Sequence, residues 1–196
     1  MRKLIINEQL SLDGVMQGPG GPEEDTSGGF KHGGWAMEYF DESMGKAAGE
    51  GMGSSGGILL GRKTYEIFAG YWPYQGDDAP FASFLNSVPK YVASRTLQEP
   101  LEWNNSHLLK NDVADAVRKL KHEDGGDIVV LGSGELAQTL MKHGLIHAYD
   151  LWVVPIVLGT GKRLFREEGP KFPLKLVKND ISSTGVAMLT YEPGDG

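Results

Sequence analysis

Residues 129–136, Val-Val-Leu-Gly-Ser-Gly-Glu-Leu, decide how the chain is read. Three apolar residues run into Gly132-Ser133-Gly134, and a run with helical spacing opens at Glu135, so the stretch is a buried strand, a tight turn and a helix start. With Ala137 it also matches G-x-G-x-x-A, the dinucleotide fingerprint, and Asp150 follows at roughly the spacing of a ribose-binding acid. In a true dinucleotide unit that acid ends the second strand. Asp150 instead precedes the apolar run that ends at Leu158, and only a hairpin follows, so the classical unit is excluded. A strand-to-helix junction remains, whose free backbone N–H groups and helix dipole suit a phosphate.

Two further segments share this design: LLGRKTYE at 59–66 and YVASRTL at 91–97. In a parallel α/β sheet such junctions fall together on the carboxyl edge, where ligands bind. Any one alone reads equally well as a tight turn, with Arg62, Lys63 and Arg95 as solvated charges. All three on one edge point to an extended ligand with several phosphates.

Around these junctions the pattern alternates strand and helix. Leu4, Ile6, Leu10 and Leu12 mark a first strand that ends at the Asp13-Gly14 turn, and 17–34 is a long Gly/Pro loop of the kind that is functional or disordered. Residues 35–48 carry Trp35, Met37, Tyr39, Phe40, Met44 and Ala47 largely at helical spacing, with Gly49 ending the helix. Strands follow at 58–60, 91–93, 107–109, 127–131 and 148–158, the last broken by Pro155. Helices are expected from about Thr64, over 81–88, after an Asn111-Asp112 cap, and over 135–143. Residues 174–182 and 186–191 close the chain as a hairpin around Ser183-Thr184-Gly185. The expectation is one domain over 1–196, a three-layer αβα fold. Its mixed, mostly parallel sheet has about eight strands and carries the antiparallel hairpin at its C-terminal edge.

Bulk properties narrow the function. A net charge of −7 with scattered lysines and arginines argues against nucleic acid, and no cysteine is present for a disulfide or thiolate site, which suits a reducing cytoplasm. The five histidines lack metal-ligand spacing, since His143 and His147 straddle Gly144, where a helix should end. No run reaches the roughly 18 apolar residues of a membrane span, and the N-terminus is too weakly apolar for a signal peptide. The expectation is a cytoplasmic protein acting on a small molecule.

Taken together, Ser11-Leu12-Asp13-Gly14, the segment Leu60 to Glu66, Ser94-Arg95, and the block from Val130 to Phe165 resemble the dihydrofolate-reductase-like family that includes the riboflavin-pathway (RibD C-terminal type) reductase domain. The resemblance covers nearly the whole chain. It implies NADPH across the carboxyl edge, with Gly61, Arg62, Lys63 and Thr64, and Gly132, Ser133, Gly134, Glu135 and Leu136, around the pyrophosphate. Ser94 and Arg95 would meet the adenosine 2′-phosphate, for which a bidentate arginine is suited. The nicotinamide and substrate would lie near Ser11, Asp13, Gly14 and Met16, with 17–34 as a candidate lid. Members of the riboflavin branch are often dimers, so a homodimer is expected; Trp152, Val154 and Ile156 would be interface or, more simply, core.

On the substrate side the chain departs from both relatives. Folate reductases place a carboxylate early in the helix matching 35–48, where this chain has Ala36; Asp41 and Glu38 are the nearby candidates for a catalytic acid. Riboflavin-pathway reductases commonly carry an acid before the glycine turn, and here that residue is Leu131. The resemblance therefore implies a reductase of a small heterocyclic or sugar-derived acceptor, similar to 5-amino-6-(5-phosphoribosylamino)uracil reductase. Dihydrofolate reductase and a non-catalytic NADP-binding protein are the alternatives.

Overall fold

Apolar runs bounded by glycine or proline form the strands of this protein, and amphipathic runs between them form the covering helices. The computed structural model describes residues 1–53, 55–76, 79, 81–110, 112–167 and 169–194. Its strands are β1 (Leu4–Ser11), β2 (Ser55–Gly61), β3 (Lys90–Ala93), β4 (Ser106–Leu109), β5 (Asp127–Leu131), β6 (Ala148–Val154), β7 (Leu174–Ile181) and β8 (Ala187–Pro193). The helices are α1 (Glu42–Gly53), α2 (Arg62–Ala69), α3 (Ala82–Ser87), α4 (Val113–Lys121) and α5 (Gly134–Lys142).

The eight strands form one sheet in the order β4-β3-β2-β5-β1-β6-β8-β7. The first six are mutually parallel, β8 runs antiparallel to β6, and β7 antiparallel to β8. Mixed parallel strands with an edge hairpin are what the sequence predicts. On one face, Leu4, Ile6, Ile128 and Val130 pack with Ala114, Val117 and Leu120 of α4 and Leu136 and Leu140 of α5. On the other, Ile58, Leu60, Val92 and Val129 meet Tyr65 of α2, Leu85 of α3 and Trp103. A third cluster joins Met44 of α1 to Phe30, Trp35, Trp152, Val154 and Val186. Trp152 and Val154 are thus core, with Ile156 partly buried against them.

The expected single helix over 35–48 is corrected. Met37–Tyr39 is one 3₁₀ turn, Phe40 is extended, and α1 begins at Glu42 and continues past Gly49 to Gly53. Two side chains explain the break. The indole of Trp35 is turned inward, its Nε1 donating to the Gln17 carbonyl at 2.8 Å. Asp41 then caps the real helix, its Oδ1 accepting from the Met44 backbone N–H at 2.9 Å. The helix expected from Thr64 starts at Arg62, directly after the strand. Asp112 caps α4 by accepting from the Asp115 N–H at 3.0 Å; Asn111 lies outside the described residues. Among the described residues no helix is long and apolar enough to cross a membrane.

Candidate functional site

The parallel topology sets the carboxyl ends of β1, β2, β3 and β5 side by side, and a cleft of about 650 Å³ opens there. Gly61 to Thr64, Ser94, Arg95 and Gly132 to Leu136 all line it, so the three junctions picked out by sequence do converge. They are also bonded to one another. Gly61 N–H donates to Ser133 Oγ at 2.7 Å, and Ser133 Oγ donates to Thr64 Oγ1 at 2.9 Å. Ser133 itself sits in the left-handed region (φ 70, ψ 53), a costly conformation for a residue with a Cβ. Gly132 precedes it at φ +54, where a Cβ would stand 3.2 Å from Thr64, and a Cβ on Gly61 would stand 3.2 Å from the Ser133 Cβ. Only glycine lets the two turns approach this closely.

Neither α2 nor α5 has a side-chain cap, so both helix N-termini offer backbone N–H groups to the cleft. Arg62, Lys63, Arg95, Lys162, Arg163 and Arg166 add positive charge to its walls. Ser94 Oγ accepts from the Thr96 and Leu97 N–H groups at 3.2 and 3.0 Å, shaping the turn that presents the exposed Arg95. An anionic, extended molecule fits this donor set.

The residues expected beside the nicotinamide divide. Met16 lines the cleft. Ser11 and Asp13 instead build a turn: Ser11 Oγ donates to Asp13 Oδ1 at 2.7 Å and accepts from Val15 N–H at 2.9 Å. Asp13 further accepts from Leu158 N–H and Gly159 N–H and pairs with Arg163 at 3.3 Å. The Leu158 contact and the Ser11 hydroxyl hold its carboxyl down at about 2. Gly14 closes this turn at φ +81, its N–H reaching the Ser11 carbonyl.

Asp41 and Glu38 do not line the cleft. Asp41 caps α1, and its Oδ2 takes the Ser183 hydroxyl and N–H at 2.6 and 2.8 Å, tying α1 to the terminal hairpin. The Ser183 and Ser43 hydroxyls keep its carboxyl well below the ordinary range. Glu38 is exposed. A second, shallower hollow of about 1130 Å³ lies between α1 and α3, lined by Phe40, Phe81, Phe84 and the Gly45-Gly49 face, with Asp41 at its rim. Among the described residues its lining offers Lys46 and Ser83 but not the convergent cations and helix N-termini of the cleft.

The structure adds residues that sequence reasoning did not place. Asn7, Glu8 and Gln9 of β1 form part of the wall, as do Gln17, Gly18, Pro19, Glu24 and Asp25 of the 17–34 segment. That segment is internally bonded: Gln17 Nε2 donates to the Asp25 and Ser27 carbonyls, and Glu24 Oε2 accepts from Gly20 and Gly21 N–H. Lys162 binds Asp25 at 2.5 Å and Ser27 Oγ at 2.7 Å, joining the segment to the chain after β6. Burial raises the Asp25 carboxyl, but Lys162 and Ser27 outweigh it and the net shift is downward. Arg166 pairs with Glu135 and lowers it. Glu8 differs from all of these. It is only 5% exposed, its Oε1 has no hydrogen-bond partner among the described residues, and burial, with Glu24 nearby, pushes its carboxyl well above the usual range. The available signal was its phase, since Glu8 falls in step with Leu4, Ile6 and Leu10.

Comparison with known proteins agrees with this architecture. The family model described as the RibD C-terminal domain matches residues 2–189. YyaP of Bacillus subtilis (strain 168), an uncharacterized protein, is 29% identical over 193 residues, covering 97% of this chain and 94% of its own. A protein of Shewanella sp. PV-4 assigned to riboflavin biosynthesis superposes with a TM-score of 0.73 at 22% identity, over 98% of this chain and 99% of its own. The Thermotoga maritima diaminohydroxyphosphoribosylaminopyrimidine deaminase/5-amino-6-(5-phosphoribosylamino)uracil reductase superposes with a TM-score of 0.63 at 12% identity. It matches 98% of this chain, which spans 57% of that larger protein.

Proposed function

The chain belongs to the RibD C-terminal domain family, and from that premise we propose that it is a reductase taking its hydride from NADPH and passing it to a small heterocyclic or sugar-derived acceptor. One observation carries the reading. Two uncapped helix N-termini, locked together by the Gly61–Ser133–Thr64 hydrogen bonds, face a cleft with six cationic side chains in its walls. The backbone N–H groups of α2 and α5 suit a pyrophosphate, and Arg95 at the end of β3 suits an additional phosphate. Bound there, NADPH would supply the hydride. The chain's own work would be to orient the two reactants and exclude water, with the 17–34 segment, which lines the cleft through Gln17 to Pro19 and Glu24-Asp25, serving as a lid.

A folate-reductase reading has less support, because it needs a carboxylate from residues 35–48 in the cleft, and Asp41 is committed to the α1 cap and the hairpin. The family match and the reductase activity of the Thermotoga relative favour an aminouracil-like acceptor. The direct test is NADPH oxidation followed optically with 5-amino-6-(5-phosphoribosylamino)uracil, dihydrofolate and a quinone as acceptors. The expected result is turnover with the aminouracil above the others. Tight NADPH binding without turnover on any acceptor would favour a non-catalytic NADP-binding protein.

A further inference from the structure

Hydride transfer to a C=N or C=O bond leaves a heteroatom that needs a proton, and the carboxyl groups of the cleft are unequal in their freedom to give one. Asp25 is held by Lys162 and Ser27, Glu135 by Arg166, and Glu24 by the Gly20 and Gly21 N–H groups. Of the cations, Lys162 and Arg166 are committed to these acids, Arg163 to Asp13 and Arg62 to Glu66. Glu8 lines the same cleft from the centre of the sheet, opposite Leu151 of β6, with one oxygen shielded from water and unpaired among the described residues.

We propose that Glu8 is the acid of the cleft: its carboxyl donates the proton that joins the hydride when a C=N or C=O acceptor is reduced. This rests on the reductase reading above and deepens it by naming the substrate class, an acceptor whose reacting heteroatom must be protonated. The balance is simple. The hydride brings two electrons to carbon, the π pair moves to nitrogen or oxygen, and that atom takes the Glu8 proton. The reduced nicotinamide is oxidised, the acceptor is reduced, and Glu8 is left as a carboxylate that water reprotonates.

Its surroundings keep Glu8 supplied with that proton. An ionised carboxylate without a cation is costly away from water, and the charged neighbour acting on Glu8 is another carboxylate, Glu24. Glu24 is itself raised, by burial first and by Asp25, and it is carried by the 17–34 segment. As the segment lies in this structure, Glu24 already acts on Glu8 and so helps hold the proton in place until reaction.

The test combines carboxyl-carbon NMR of glutamate-labelled protein with kinetics. The signal missing in Glu8→Gln identifies Glu8, which is expected to titrate above the ordinary glutamate range, and to move back down in Glu24→Gln. With whichever of the three acceptors the wild type reduces, Glu8→Gln is expected to lose about a hundredfold or more in kcat. Its NADPH affinity by fluorescence titration should stay within about twofold of the wild type. Glu24→Gln, which keeps Glu8, should shift the basic limb of the kcat profile to lower pH. An ordinary titration of Glu8, or Glu8→Gln at the wild-type rate, while NADPH still binds, overturns this proposal alone. Failure of the wild type to bind NADPH overturns the reductase reading and this proposal with it.

Discussion

The two edges of the parallel sheet handle charge in opposite ways. At the amino edge, where β1 and β3 begin, three cations, Arg2, Lys90 and Lys121, are buried and engaged mainly by backbone carbonyls. Arg2 donates to the Gly126 and Gly56 carbonyls and to the Tyr91 hydroxyl. Lys90, with no exposed surface, donates to the Leu85, Asn86 and Val88 carbonyls and stands 4.4 Å from the Trp103 ring centroid. Lys121 reaches the Leu145 carbonyl. At the carboxyl edge the cations stay at least partly exposed, two helix N-termini are uncapped, and Glu8 holds an oxygen unpaired among the described residues. An edge that satisfies its polar groups internally adds stability, and one that leaves them open adds binding.

The strongest way to break this comparison is Lys90→Ala. It removes three hydrogen bonds and leaves a cavity under Trp103, so about 3–5 kcal/mol of stability should be lost. Denaturant melts would measure the loss, and NADPH affinity under folding conditions should stay unchanged. A variant of normal stability but weak NADPH binding would reverse the roles of the two edges.

The opposite kind of change is expected from Arg95→Ala. A charge-assisted contact to the 2′-phosphate is worth about 1.5–3 kcal/mol, so NADPH should bind roughly tenfold or more weakly, with NADH affinity and melting temperature nearly unaltered. Arg62→Ala, at the proposed pyrophosphate site, should weaken both cofactors together. Paired titrations separate the outcomes. If Arg62→Ala alters the NADPH/NADH ratio and Arg95→Ala does not, the adenosine end has been placed wrongly.

A smaller effect sharpens the boundary between the edges at the turn after β1. Asp13 is lowered in the folded chain to about 2 from an ordinary 3.8. Its contribution is therefore present above about pH 4 and is lost as pH falls toward 2. Asp13→Asn should cost about 1 kcal/mol or less after solvent screening, and the gap between variant and wild type should close over that acid range. Glu8 has the opposite sign. Its raised value stabilises the fold at low pH, and that contribution declines as pH climbs from the ordinary carboxylate range into its own. Both variants should run closest to the wild type at acid pH and part from it in opposite directions as pH rises, Asp13→Asn falling below the wild type and Glu8→Gln gaining on it.

How much of this was legible in sequence follows from distance along the chain. Strands with alternating or continuous apolar residues, and the three glycine-bearing junctions, are local patterns and were readable as such. The α1 start was not, because Trp35 fits helical spacing yet is turned inward by a bond to Gln17, eighteen residues earlier. Asp41 looked catalytic for a related reason: its partner Ser183 lies 142 residues away. Lys162, Arg163 and Arg166 reach the cleft only because the chain after β6 returns to pair Arg163 with Val15. Glu8 was readable and overlooked, a polar residue in step with three buried apolar ones.

The central claim, that the carboxyl edge holds the nicotinamide cofactor and the amino edge only holds the fold, is tested most directly by titrating ¹⁵N-labelled protein with NADPH. The predicted result is movement of the Gly61 to Thr64, Arg95 and Gly132 to Leu136 amide signals, with those of Arg2, Lys90 and Lys121 unmoved. Signals that stay still at the three junctions, or that shift first at the amino edge, would contradict it.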